Sequence, residues 1–466
     1  MTMKIGFGIG EFTPYGRKIS LLGQMHERIT DKINDGIFVS AMLIVSENAR
    51  TLWIAADALG MTAEASHECY LAAKEIIPDL KEEEFVTSAT HIHTGLSFEA
   101  YNSLTATEKE AENVIKRDEC RKLLADAVAK AVQKSKESLE ESRMEIAVSR
   151  IQTGVCRRME YKDGKTIMYG STAREDFVKP EGRDGGPMQL IYVYGQNNSL
   201  KGVVANLPCT AQCDEQANYV TSDYWGVVRD EITEKLGKDV IVLPLCRGAG
   251  DLTPHHYIDR FPTKPNDSIA GGRKSAIELG KRIAREIVYC IGETVREYCG
   301  DVHHYQAMKE ITLPCHTVTK EEYQWAKDFI EKYKTDQDYI GDKSEFCTGN
   351  RRFNYLNSHY KIRKYEGNNC QEIKTRIYAT IIDDIAFITS PFELFIEYSD
   401  RIRMALPEYI VYDVELCYER LGYMPTERAA KGGSYSTFTF NGACPPEAGE
   451  ILVKESIDLV KSIAEY

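Results

Sequence analysis

The run Thr90-His91-Ile92-His93-Thr94-Gly95 sets two imidazoles two residues apart, directly after an apolar stretch. In an extended segment residues at that spacing face one side, so His91 and His93 can reach one metal ion or one substrate; two solvated histidines at a strand end fit the spacing equally. Asn206-Leu207-Pro208-Cys209-Thr210-Ala211-Gln212-Cys213 offers Cys209 and Gln212 as ligand contacts, or a buried thiol beside a plain turn. Gly248-Ala249-Gly250-Asp251-Leu252-Thr253 follows a buried apolar run. Its glycines permit close backbone approach, so the turn can present amide N–H groups and the Thr253 hydroxyl to a substrate, or simply reverse the chain. Ser390-Pro391-Phe392-Glu393 and Gly422-Tyr423-Met424-Pro425-Thr426 complete the set. Glu393 reads as a functional carboxylate or a first-turn one, and Tyr423 as a functional phenol or a core-edge aromatic.

Each loop follows soon after an apolar strand, where open α/β sheets collect their ligands. Strands are expected at Lys4–Gly10, Ile37–Val45, Thr51–Asp57, Glu84–Thr90, Met144–Ile151, Gln189–Tyr194, Gly202–Asn206, Val240–Leu245, Ile377–Ile388 and Tyr409–Glu415, from apolar, β-branched content. Helices are expected at Thr105–Leu139, Ser222–Leu236 with Asp223 as a cap, Gly271–Tyr298 and Glu447–Ile463. The alternation predicts an α/β fold, with central β-sheets flanked by helices. No internal repeat or low-complexity linker is apparent, so one continuous unit over 1–466 is expected, with a tyrosine-rich variable lobe at 303–372.

The chain has 466 residues, with 58 Lys and Arg against 71 Asp and Glu, a net charge of -13 that argues against a nucleic-acid partner. Hydrophobic residues at 43% and charged residues at 28% suit an ordered globule rather than a disordered chain. No apolar run approaches the roughly 20 residues that span a bilayer, and the N-terminus lacks a signal-peptide pattern. The 13 cysteines are scattered without a CxxC pair, which predicts reduced thiols and a cytoplasmic location.

Taken in order, the loops resemble those of the neutral/alkaline, non-lysosomal ceramidases, a family of zinc-dependent amidases. The opening Gly6-Phe7-Gly8-Ile9-Gly10-Glu11-Phe12-Thr13-Pro14 is similar to that family's glycine run ending in ITP, and Thr90-His91-Ile92-His93-Thr94-Gly95 to its THTHSG motif. Gly250-Asp251-Leu252-Thr253-Pro254 resembles its GDVSP loop, Pro391-Phe392-Glu393 its PGE, and Gly422–Thr426 its tyrosine-threonine motif, with Tyr435 twelve positions beyond Tyr423 as in the family. The resemblance covers about 4–300 and 375–465 and implies the catalytic domain of that family without its C-terminal immunoglobulin-like domain.

By that resemblance His91, Glu393 and Tyr423 are zinc ligands, while Thr210 stands where the family has a second histidine. Cys209 or His93 then becomes the replacement donor, or the site is weakened or lost. Thr253 matches the serine implicated in catalysis and Arg157 the arginine of an NRSP motif, with His93 as general acid/base and Tyr423 and Tyr435 near the developing oxyanion. The implied function is metal-dependent hydrolysis of an N-acyl amide in a small molecule or lipid. A metal-free ligand-binding protein on the same fold, and a hydrolase of an ester or glycosyl conjugate, stand as alternatives.

Overall fold

The computed structural model describes residues 2–24, 28–98, 114–255, 271–336, 351–367 and 369–464. The 105–113 portion of the expected Thr105–Leu139 helix lies outside these residues; the described helix is Arg117–Glu137. That helix lies directly on strand Lys4–Glu11, and the glycine run is the reason. A Cβ at Gly6, Gly8 or Gly10 would overlap the carbonyl oxygens of Ser135, Ala131 and Ala127 respectively, so every second strand residue lacks a side chain where every fourth helix residue passes.

Three sheets share one construction. In the first, strands Phe38–Val45 and Arg50–Ala56 pair antiparallel, helix Ala63–Ile76 crosses over, and Phe85–Ala89 returns parallel to the second strand. In the second, Met188–Tyr194 and Leu200–Leu207 form the antiparallel pair, Tyr224–Leu236 the crossover, and Ile241–Cys246 the parallel strand. The third uses Glu372–Ile382 with Ile385–Thr389, then helix Ile396–Ala405 and strand Ile410–Val414. The recurrence is one of pairing and order, and no repeat of residue types accompanies it.

The sheets face one another across a common core. Phe7, Ile44 and Trp53 of the first sheet, Ile146, Val204 and Leu243 of the second, and Ile382, Phe387 and Tyr412 of the third belong to one buried cluster. Trp53 meets Phe387 at a ring separation of 5.3 Å, and Phe387 meets Tyr412 at 5.0 Å. Helices pack on the outer faces, completing the expected α/β arrangement.

Two expected elements are divided. Gly271–Tyr298 is helix Arg273–Tyr289, a turn with Gly292 at positive φ, and edge strand Arg296–Tyr298. Ile377–Ile388 is a hairpin, turned at Asp383 with φ +51° between Ile382 and Ile385. Within the stretch expected as a variable lobe, His304–Pro314 pairs along its whole length with Glu372–Ile382 and so belongs to the third sheet. Helices Lys320–Tyr333 and Arg351–Glu366 rise beyond it, joined by a Tyr323–Tyr365 ring stack at 4.4 Å.

Candidate functional site

The parallel strands of the three sheets end on one region, and the loops that follow them carry the polar residues. After Phe85–Ala89, Thr90 N–H donates to Ala56 O at 3.0 Å and Ile92 N–H to Ala58 O at 3.2 Å. These bonds hold His91 between them at φ +65°, in the left-handed region that few non-glycine residues adopt. The segment is therefore not extended, yet the His91 and His93 rings still meet edge to face, centroids 5.1 Å apart. His91 Nδ1 lies 2.7 Å from Leu59 O; a carbonyl only accepts, so Nδ1 carries the proton and Nε2 bears the lone pair. Nε2 faces Glu393 Oε2 at 3.5 Å. Burial pushes the His91 pKa down, with Glu393 opposing, so the neutral ring is the favoured form.

Glu393 and Tyr423 are brought side by side by a two-residue parallel pairing, Glu393 opposite Tyr423 and Leu394 opposite Met424. The buried Glu415 carboxylate fixes this piece from behind, accepting Leu394 N–H at 2.8 Å and Ala249 N–H at 3.1 Å. Gly250 must be glycine here, because a Cβ would overlap the Glu393 carbonyl. The Tyr423 hydroxyl is hydrogen-bonded to Glu393, and burial together with that carboxylate pushes its pKa well up. Arg157 donates to the same hydroxyl at 3.1 Å, and Arg420 reaches Glu393 Oε1 at 3.4 Å.

Arg157 is buried and also donates to Gly250 O at 2.9 Å. Its guanidinium lies over the Tyr423 ring at 5.6 Å and the Tyr169 ring at 5.9 Å. Thr253 pairs with Val155 across a short antiparallel bridge, and its hydroxyl accepts from Tyr169 at 3.2 Å and from the His255 N–H at 3.3 Å. Arg158 points the other way, into a buried ion pair with Glu181 at 2.6 Å. It donates further to Ser436 Oγ and Gly433 O, at 2.9 and 2.8 Å, which anchors the turn carrying Tyr435. The Tyr435 ring then stands 5.9 Å from Tyr423, edge to face, and 4.9 Å from Phe353 of the helical hairpin.

Thr210 begins a neutral relay to the second histidine of the loop, His93. Thr210 Oγ1 donates to Gln212 Oε1 at 2.6 Å, and Gln212 Nε2 donates to His93 Nε2 at 2.7 Å. The other ring nitrogen, Nδ1, lies 3.4 Å from Gln24 Nε2 and 3.6 Å from Glu215 Oε2, and burial holds the His93 pKa well below its usual value. Burial raises the Glu215 carboxyl to about 7, against the pull of Arg157. His255 Nε2 lies 3.9 Å from the other Glu215 oxygen. Cys209 is buried nearby, its thiol directed at Thr153 O at 3.2 Å and raised in pKa by burial.

The structure thus joins His91, Glu393, Tyr423 and Arg157 in one buried group, with the partly buried Tyr435 at its edge, His93 against it and Thr253 linked through Tyr169. Glu215 and Arg420 are functional candidates not legible in the sequence: each stands beside another charged residue, Asp214 and Glu419, in a polar loop, and no spacing sets it apart. Among the described residues no three or more His, Cys, Asp or Glu side chains are arranged to share a metal ion, so neither Cys209 nor His93 joins His91 and Glu393 in such a group. The donors that do converge are the His91 Nε2 lone pair and a Glu393 oxygen, 3.5 Å apart, beside the phenol of Tyr423. His91 and Glu393 are donor types that zinc takes, with the imidazole's other nitrogen held by a backbone carbonyl.

No family model and no curated relative matches the sequence. Among solved structures, the neutral ceramidase from Pseudomonas aeruginosa superposes with a TM-score of 0.70 at 12% identity, over 99% of this chain and 75% of that one. A ceramidase complexed with C2 gives 0.69 at 12% identity, over 99% and 76%. The three facing sheets and the loops at their ends are thus those of a known architecture: the chain has the neutral ceramidase fold.

Proposed function

We propose that the protein is a metal-dependent hydrolase that cleaves a linear N-acyl amide in a small molecule or lipid-like substrate. The observation that carries this reading is the His91 Nε2 lone pair set against the Glu393 carboxylate at 3.5 Å, an arrangement that a cation between them stabilises. His91, Glu393 and Tyr423 would hold zinc. When bound, it supplies Lewis acidity toward the carbonyl under attack and lowers the pKa of water. Arg157 and Tyr435 flank the same space and stabilise negative charge developing on the carbonyl oxygen. His93 handles the proton, partnered by Glu215, whose carboxyl near 7 suits proton exchange at neutral pH. The Thr253 hydroxyl, accepting from two donors, keeps its own proton to give.

The metal-free binding reading draws support from the two guanidiniums, since Arg420 and Arg157 already serve Glu393 and Tyr423. The scattered cysteines, without a CxxC pair, support a cytoplasmic location. The deciding experiment is hydrolysis of a short-chain N-acyl amide, with ester and glycoside probes of matched size beside it. The amide is expected to be cleaved after zinc loading, with activity lost on chelation and restored by zinc. Binding of the probe with no turnover under either condition would favour the metal-free reading.

A further inference from the structure

Three thiols meet at the root of the helical hairpin, outside the group of side chains described above. Cys315 follows strand His304–Pro314, Cys370 precedes strand Glu372–Ile382, and Cys444 precedes helix Pro446–Ala464. The antiparallel ladder extends one step past Pro314 through Cys315 N–H to Gln371 O at 2.8 Å, which brings Cys315 beside Cys370. His316 N–H to Ala443 O at 2.9 Å draws in the segment that carries Cys444. The Cys315 thiol is hydrogen-bonded to both of the others. Cys315 and Cys444 are buried, whereas Cys370 is partly exposed, so oxidants reach the cluster through one thiol. The Lys364 ammonium lies near enough to favour negative charge there. Burial and the Cys370 contact raise the Cys315 thiol to about 11, which keeps it protonated in reserve.

We propose that Cys315 and Cys370 form a reversible oxidation site, closing to a disulfide across the mouth of the hairpin that carries Phe353. Two thiols in contact are the starting geometry from which a disulfide closes. The oxidant is a hydroperoxide. The Cys370 thiolate attacks the peroxide oxygen, the O–O bond breaks, and a sulfenic acid forms with loss of hydroxide. The Cys315 sulfur then displaces the second hydroxyl as water, forming the S–S bond. In sum, two thiols give up two electrons and two protons, and hydrogen peroxide becomes two waters. A dithiol reverses the step by exchange.

The test uses the full-length protein treated with hydrogen peroxide, alkylated, digested without reductant and read by mass spectrometry. A Cys315–Cys370 linked peptide is expected, abolished by dithiothreitol and absent from Cys370→Ser, while the exposed Cys299 remains alkylatable. Far-UV circular dichroism of Cys370→Ser and Cys315→Ser checks that each variant folds, and the wild-type crosslink decides the matter even where one does not. Recovery of Cys370 as a free thiol, as a sulfinic or sulfonic acid, or crosslinked to any cysteine other than Cys315 would overturn the assignment.

Discussion

His91 Nε2 and Glu393 Oε2 come from sheets built by opposite ends of the chain and face each other across 3.5 Å, with the only ring proton of neutral His91 turned away to Leu59 O. Two lone pairs so placed repel unless a cation joins them. Elemental analysis of protein purified without chelators is expected to find about one zinc per chain, as a single mononuclear site requires. Glu393→Ala is expected to lose it. Metal retained at full occupancy in that variant would remove Glu393 from the ligand set.

Glu215 is expected to act through His93. Glu215→Gln should lower kcat about ten- to a hundredfold, the usual cost of losing the partner that orients a functional histidine, with little change in KM. Combined with His93→Ala it should add almost nothing, because the two act as one unit. Kinetics of the single and double variants check this; additive losses would show that Glu215 works independently of the ring.

Arg158 and Glu181 form a fully buried pair, so truncating one partner leaves the other charge uncompensated. Arg158→Ala should cost roughly 3–5 kcal/mol, and Arg158→Met with Glu181→Leu should recover much of that. Both variants release the turn that holds Tyr435, so activity should stay low even where stability returns. Thermal melts and turnover measured on the same preparations separate the two effects.

Asp223 caps helix Tyr224–Leu236 and accepts three backbone N–H groups, yet burial raises its carboxyl from 3.8 to about 7. A raised folded-state pKa means the folded chain holds the proton more tightly than the unfolded one. The stabilisation is therefore complete below about 4 and is lost as pH rises through about 7. Asp251, raised by burial to about 6, adds the same sign in a lower window. Denaturant unfolding from pH 5 to 8 should show a steeper fall in stability for wild type than for Asp223→Asn, because each tenfold difference in proton affinity between folded and unfolded chain is worth about 1.4 kcal/mol. Parallel slopes would exclude Asp223 as the group responsible.

Gly8→Ala should destabilise the fold by roughly 1–3 kcal/mol, as overpacking does, because the added methyl meets the Ala131 carbonyl, which is backbone and cannot rotate aside. Activity per folded molecule should be unchanged, since the contact lies on the helix side of the first sheet. A stability equal to wild type would mean the helix does not sit against that strand.

Much of this protein is set by residue type and short-range pattern. Strands such as Arg143–Ser149 and Met188–Tyr194, the Asp223 cap, and the loops carrying His91, Thr253, Glu393 and Tyr423 follow from apolar runs bounded by polar and glycine residues, and the order of those loops points to the ceramidase fold. The divided elements were not legible, since the turns at Gly292 and Asp383 each interrupt an apolar pattern by only a few residues. Tertiary structure alone decided which charges meet. The thrice-used hairpin–helix–strand arrangement brings residues near 91, 157, 215, 393 and 423 together, and contact across such separations depends on how sheets pack rather than on spacing along the chain. That is why Glu215, Arg420 and the Thr210–Gln212–His93 relay emerge only once the three sheets face a common core.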